Sequence, residues 1–262
     1  MRSTAPAVFL LGCALVAVLA HWLPLEPNRI HLDAILQGPS TGFWLGTDEL
    51  GRPVLERVMA GAGVSFAIAL SVVALSAVVG ITLGSAAALL GGWVDTLVVR
   101  IIDVFLAFPG ILLAIALVAV LGPGVEKLAL ALALVGWVGF ARLARAQVLS
   151  LKHREHVTAA RALGARRRRI LWRHLVPLMT APLVVEATFS LAAVIIAEAG
   201  LSFLGLGIPP PAPSWGGMIR EGSRFLLVAP HLALAPGILL MLVVLSVNLL
   251  GDTLRDRLDV KA

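Results

Sequence analysis

Few side chains in this 262-residue chain could do chemistry, and their spacing excludes the common kinds. His153, Glu155 and His156 form an HxEH run, which does not set two histidines one helical turn apart as the HExxH zinc site requires. No GxxxxGK[ST] phosphate loop occurs, so the chain carries no ATP site of the usual type. Cys13 is the single cysteine, so no intrachain disulfide can form. What remains are charges embedded in apolar sequence. Such a charge costs several kcal/mol in hydrocarbon unless it faces protein or water. Arg100 and Asp103 are spaced to pair across one turn. Glu186 and Glu198 share one apolar run, twelve residues or three and a third turns apart. Glu198 is the candidate for lining an internal path, with contact to another membrane helix bundle and a place near the outer interface as alternatives.

The densest polar segment runs from Glu155 to Pro177 and lies between two long apolar stretches. Val157, Ala160 and Leu163 recur at helical spacing, and Gly164 suits a left-handed cap. Ile170, Leu171, His174 and Leu175 continue as a second turn, which Pro177 is expected to stop. Two short helices meeting at a glycine hinge are predicted. They could dock into a soluble partner or lie on anionic lipid, which Arg166, Arg167, Arg168 and Arg169 would favour; the residues alone leave both open.

The elements that must hold these residues are membrane spans. Hydrophobic residues make up 59% of the chain and charged residues 14%, with a mean hydropathy of +0.97. Six runs are long enough to approach the roughly 20 residues that cross about 30 Å of hydrocarbon: Ala7–Leu23, Val64–Leu90, Leu97–Leu121, Leu128–Leu149, Pro182–Leu206 and His231–Leu250. Backbone polar groups in lipid must be satisfied within the segment, so the runs are predicted helices, and the chain an all-α polytopic membrane protein with six transmembrane helices. Pro109 permits a kink in the third. The first run, with Arg2 before it and Val18-Leu19-Ala20 after its apolar centre, also fits a cleaved leader.

Ten of the 21 Lys and Arg residues lie between Arg142 and Arg173, which assigns that loop to the cytoplasm and, counting spans, both termini as well; Arg255, Arg257 and Lys261 agree. The net charge of +6 is thus a signal of topology, and nucleic-acid binding is not expected. Three regions follow: 1–63 with the first span and an outer segment, 64–251 as the membrane core with the polar loop 150–180, and a cytoplasmic tail 252–262. Within the outer segments Thr47 or Asp48 can cap a turn and Pro53 suits the start of a helix. Gly205, Gly207 and Pro209 to Pro211 should form a rigid loop that leads to Trp215 as an interfacial anchor.

The polar loop resembles the EAA loop of bacterial ABC importer permeases: Ala159, Ala160, Gly164, Ile170, His174, Leu175 and Pro177 match that pattern in order. Thr158 stands where the family usually has Glu, and Leu178 where Asn often follows the proline. Gly46-Thr47-Asp48-Glu49-Leu50-Gly51-Arg52 resembles the GTDxxGR signature of the DppC/OppC-type permeases of dipeptide, oligopeptide and nickel importers. Ala197 to Gly216 resembles their EAxLSFLGLGxxPPxPSWG signature, and Asn248 to Asp259 their NLLGDxLRDxLDP ending, with Val260 in place of the final proline.

The resemblance implies a type I ABC importer permease fold in the bacterial inner membrane. It implies a coupling helix, with Thr158, Ala159, Ala160, Leu163, Gly164, Ile170, His174, Leu175 and Pro177 engaging an ATPase subunit. ATP and Mg would be bound by two such ATPases or one fused ATPase, and no cofactor by this chain. A homologous second permease would complete the path, and an extracytoplasmic solute-binding protein would deliver peptide, or in some systems nickel or haem. Thr47, Asp48, Arg52, Trp215, Arg220 and Glu221 are the candidates for its outer docking face. A secondary transporter is the reading from another class; it would leave the coupling-type loop unexplained.

Overall fold

The computed structural model describes residues 4–20 and 22–259, so the readings on Arg2, Val260 and Lys261 lie outside the described residues. Helices dominate: α1 (Thr4–Leu19), α2 (Val54–Leu90), α3 (Gly92–Leu106), α4 (Gly110–Leu121), α5 (Val125–Leu151), α6 (Glu155–Ala162), α7 (Arg167–Ile170), α8 (Val176–Phe203), α9 (Trp215–Ser223) and α10 (His231–Asp259). No strand forms among the described residues; the one β feature is an isolated bridge between Thr47 and Pro53.

Four helices are long and apolar enough to cross a membrane: α2, α5, the rod from Arg167 to Phe203, and α10. The expected third span, Leu97–Leu121, is broken. Its halves α3 and α4 meet at 87°. Pro109 has no backbone N–H to give and disfavours helix at Phe108, so the turn falls at residues 107–109. α1 is apolar, but its 16 residues reach only about 24 Å. The described residues thus hold four such helices, or five with the bent pair counted as one, rather than six straight spans.

Pro177 does not end a helix, contrary to expectation. One π turn, Leu171–Leu175, precedes it and joins α7 to α8 in a single rod. The wider turn accommodates a residue that has no N–H to donate and whose ring crowds the turn before it. Two region boundaries also fall inside helices: α2 begins at Val54, ahead of the apolar run, and α10 carries the polar tail on to Asp259.

The core is built on α2 and α5. Gly80 and Gly84 lie one turn apart on α2, where a Cβ would collide with the backbone of Trp137 and Ala141 on α5. Gly136 likewise clears room for Ser76. Small residues at four-residue spacing let two backbones approach, which is how helices associate where lipid gives no hydrophobic drive between them. Phe140, Val148, Leu175 and Met179 extend this packing toward the polar loop. α3 is tied to α5 by Asp95, which takes Nε and Nη2 of Arg145 at 2.6 and 2.7 Å, and by Phe105, which meets Trp137 edge-on at 5.6 Å. The expected pair Arg100–Asp103 is present only as a 4.0 Å contact between largely exposed side chains.

Candidate functional site

The polar loop forms an elbow. α6 ends in a Schellman arrangement: the Ala165 N–H donates to the Ala160 carbonyl, the Gly164 N–H to that of Arg161, and Gly164 takes φ +82°. This backbone turn pushes Leu163 outward, 89% exposed, beside the exposed Thr158 and Ala159 and the half-buried Ala160. Val157, Ile170 and Leu175 are buried against the ends of α2, α5 and α8 nearest the polar loop. Of the nine coupling residues expected, therefore, Ile170 and Leu175 seat the elbow on the membrane helices. Thr158, Ala159 and Leu163 form the free surface. His174 lies beside His156 of α6, with ring centroids 6.5 Å apart, and Pro177 is exposed at the start of α8.

At the opposite end the GTDELGR segment folds around Asp48. Its Oδ1 accepts the N–H groups of Leu50 and Arg52, both at 2.9 Å, and its Oδ2 takes Arg52 Nε at 2.7 Å. Gly51 has φ +73°, and a side chain there would strike the His31 carbonyl. Thr47 donates its hydroxyl to the Ala34 carbonyl and accepts the Gln37 N–H. Arg57 of α2 then joins Asp48 at 3.4 Å and Glu221 of α9 at 3.1 Å, while Arg52 reaches Glu221 at 3.5 Å. Thr47, Asp48 and Arg52 are buried inside the chain's own packing.

Trp215 corrects the interfacial-anchor expectation most plainly, being fully buried. Its Nε1 donates to the Val58 carbonyl at 3.1 Å, its ring stands edge-on to Phe66, and Gly61 lies beneath it. α9 starts at Trp215 because Ser214 caps it, accepting the Gly217 N–H. Among the outer docking candidates only Arg220 is exposed, with Glu221 half-exposed and committed to the arginines.

Glu198 is also interior. Its carboxylate accepts Ser65 Oγ of α2 at 2.9 Å and Ser202 Oγ of its own helix at 2.8 Å, with no exposed surface. It bridges two spans and lines no opening. The glutamate that does open on a cleft is Glu186, passed over at the sequence level although the 120° offset between the two positions meant that both could not face the same neighbour.

Residues 80–261 match the family described as binding-protein-dependent transport system inner membrane component. The chain is 44% identical over 226 residues to the dipeptide transport system permease protein DppC of Alkalihalophilus pseudofirmus, covering 86% of this chain and 74% of that protein. It is 41% identical to the glutathione transport system permease protein GsiD of Pectobacterium atrosepticum over 99% of this chain and 87% of that one. Against GsiD of Shigella sonnei the figures are 44%, 97% and 85%. In fold it is similar to a chain of the MetNI methionine ABC transporter in an inward-facing conformation, with TM-score 0.65 at 19% identity over 79% of this chain and 98% of that one. The GTDELGR fold, the elbow and the spans between them thus belong together: the chain is a member of the binding-protein-dependent transport system inner membrane component family, a multi-pass permease subunit and not itself an enzyme.

Proposed function

We propose that this permease pairs with a homologous permease to enclose a path for short peptides, driven by ATPase subunits at the α6–α7 elbow and supplied by an extracytoplasmic binding protein at the opposite end. The observation that carries the reading is the elbow itself. Leu163 stands free at its tip, while Ile170 and Leu175 bind its base to a continuous rod that reaches Phe203. A push on such a tip moves a membrane-spanning helix as a rigid body, because packed helices shift between discrete arrangements more readily than they deform. ATP and Mg belong to the ATPases in this scheme. The basic residues from Arg142 to Arg173 support a cytoplasmic elbow.

Peptide as cargo is supported by the relatives, which are named for dipeptide and for glutathione, itself a short peptide. Delivery at the outer end would use Arg220 and the loop 205–213, since Thr47, Asp48, Arg52 and Trp215 are taken up within the chain. The test is uptake of labelled dialanine and glutathione by cells that lack their own peptide importers and express this chain with its co-encoded partners. Uptake that needs both this chain and the binding protein is expected. Energy-dependent uptake by this chain without any ATPase subunit would overturn the reading.

A further inference from the structure

A cleft of about 730 Å³ opens between α3, α5 and α8, lined by Asp103 of α3, Gly139, Arg142 and Arg145 of α5, and Glu186 of α8. Its charges are not equivalent. Arg145 is neutralised by Asp95 in a two-bond pair, and Asp103 lies 4.0 Å from Arg100 with its side chain largely in solvent. Arg142 and Glu186 make no hydrogen bond or ion pair among the described residues, either with other groups or with each other. One cation and one anion therefore stand free on walls of the same cleft.

Their depth makes that costly unless water or a ligand visits. Arg142 lies nine residues from the end of α5, about 14 Å along the axis, and Glu186 ten residues into α8, about 15 Å, both within helices long and apolar enough to cross a membrane. An ionisable side chain at such depth faces a polar cavity or a partner. The backbone has also been cleared for one of them: a Cβ on Gly139 would stand 2.7 Å from Glu186 Oε1, so glycine leaves the carboxylate its place against α5.

We propose that this cleft is a station on the translocation path that holds a short peptide as its zwitterion, with Arg142 donating to the terminal carboxylate and Glu186 accepting from the terminal ammonium. The inference rests on the peptide-importer reading above. A ligand with one charge at each end matches one free cation and one free anion, whereas a purely anionic or cationic cargo would leave one of them opposed. Ile102, Leu106 and Leu143 supply apolar wall between the charges, suited to side chains that a general importer must tolerate. The volume lies within the range of small-molecule sites, and its openness to water keeps the hold weak enough for release.

The experiment uses the complete importer in proteoliposomes, with labelled dialanine as probe and transport counted per ATP hydrolysed. Arg142→Gln and Glu186→Gln should each lower dialanine moved per ATP at least tenfold, in complexes that co-purify with their ATPases. Arg142→Lys and Glu186→Asp, which keep the charge, should retain a third or more. An unchanged ratio in both glutamine variants would overturn the station while leaving the importer reading intact. No dialanine transport by the unaltered complex would overturn the peptide reading and the station with it. Should Glu186→Gln fail to assemble, Arg142→Gln decides alone, since the Arg142 side chain is exposed.

Discussion

Arg57, near the start of α2, lies 3.1 Å from the Glu221 carboxylate of α9, 164 residues further along the chain, and its Nε is 3.4 Å from Asp48. This arginine is 3% exposed, so the GTDELGR segment, α2 and α9 are clasped by one buried charge network. Removing one member of a buried network strands the others. Arg57→Ala should lower stability by about 3–5 kcal/mol. Glu221→Gln should lower it less, because that side chain is 31% exposed and screened by solvent. Heating detergent-solubilised protein and following the monodisperse fraction gives the order; a larger loss for Glu221→Gln would contradict it.

Trp215→Ala tests whether this residue is core or contact surface. A fully buried indole leaves a cavity when it is removed, a loss of about 3–5 kcal/mol. Arg220→Glu, by contrast, should leave the thermal midpoint nearly unmoved and raise the concentration of loaded binding protein needed for half-maximal ATPase stimulation. A Trp215→Ala protein with an unchanged midpoint would return Trp215 to the surface.

Glu198 should behave as a bridge between spans. Glu198→Ala strands the hydroxyls of Ser65 and Ser202, each worth about 1–3 kcal/mol when buried and unpaired. Glu198→Gln keeps an acceptor for one hydroxyl and should fall between the parent and the alanine variant in thermal midpoint. Equal midpoints for all three would remove the bridge.

How much of this was legible in the sequence depended on whether a residue's partner lay nearby in the chain. The elbow was legible because its determinants are local: helical spacing up to Leu163, then glycine where φ turns positive. Asp48 could be seen to cap a turn, since Leu50 and Arg52 are its neighbours. Its engagement with Arg57 and Glu221 could not, because nothing in local spacing brings α9 to the start of α2. Trp215 was misread for the same reason: an aromatic after a proline-rich loop looks interfacial until Gly61 shows that room has been made for it in the core. Pro177 was misread because one π turn, invisible to a 3.6-residue period, lets a helix run through proline. The stripe Ser76, Gly80 and Gly84 was open to reading as a helix contact and was missed, since hydropathy alone marks a span and says nothing of its packing face.

That stripe yields a further expectation. Gly84→Ala puts a methyl against the Ala141 backbone, which cannot yield as a side-chain tip would. A loss of about 1–3 kcal/mol in stability is expected, and Gly84→Leu should prevent accumulation in the membrane. Gly200→Ala on α8, where nothing stands within 4 Å, serves as the neutral control. Equal thermal midpoints for Gly84→Ala and Gly200→Ala would contradict the close approach of α2 and α5.

The arginines of the 142–173 loop predict a cytoplasmic elbow, and labelling of intact cells checks it. On a Cys13→Ala background, a thiol at the exposed Ser40 should react with a membrane-impermeant maleimide and one at the exposed Thr158 should not. The reverse pattern would place the elbow outside, away from any ATP.

The most direct measurement of the central claim, that the elbow passes ATPase motion to the spans, is binding-protein-stimulated ATP hydrolysis by the reconstituted complex carrying Leu163→Asp or Ala160→Asp. Leu163 is 89% exposed in the free chain, so the substitution leaves the fold of this subunit alone and places an unpaired charge only where a partner groove would bury it. Stimulation should fall at least tenfold in both variants while the permease reaches the membrane at its usual level. Stimulation equal to that of the unaltered complex, in variants that transport cargo normally, would contradict the account.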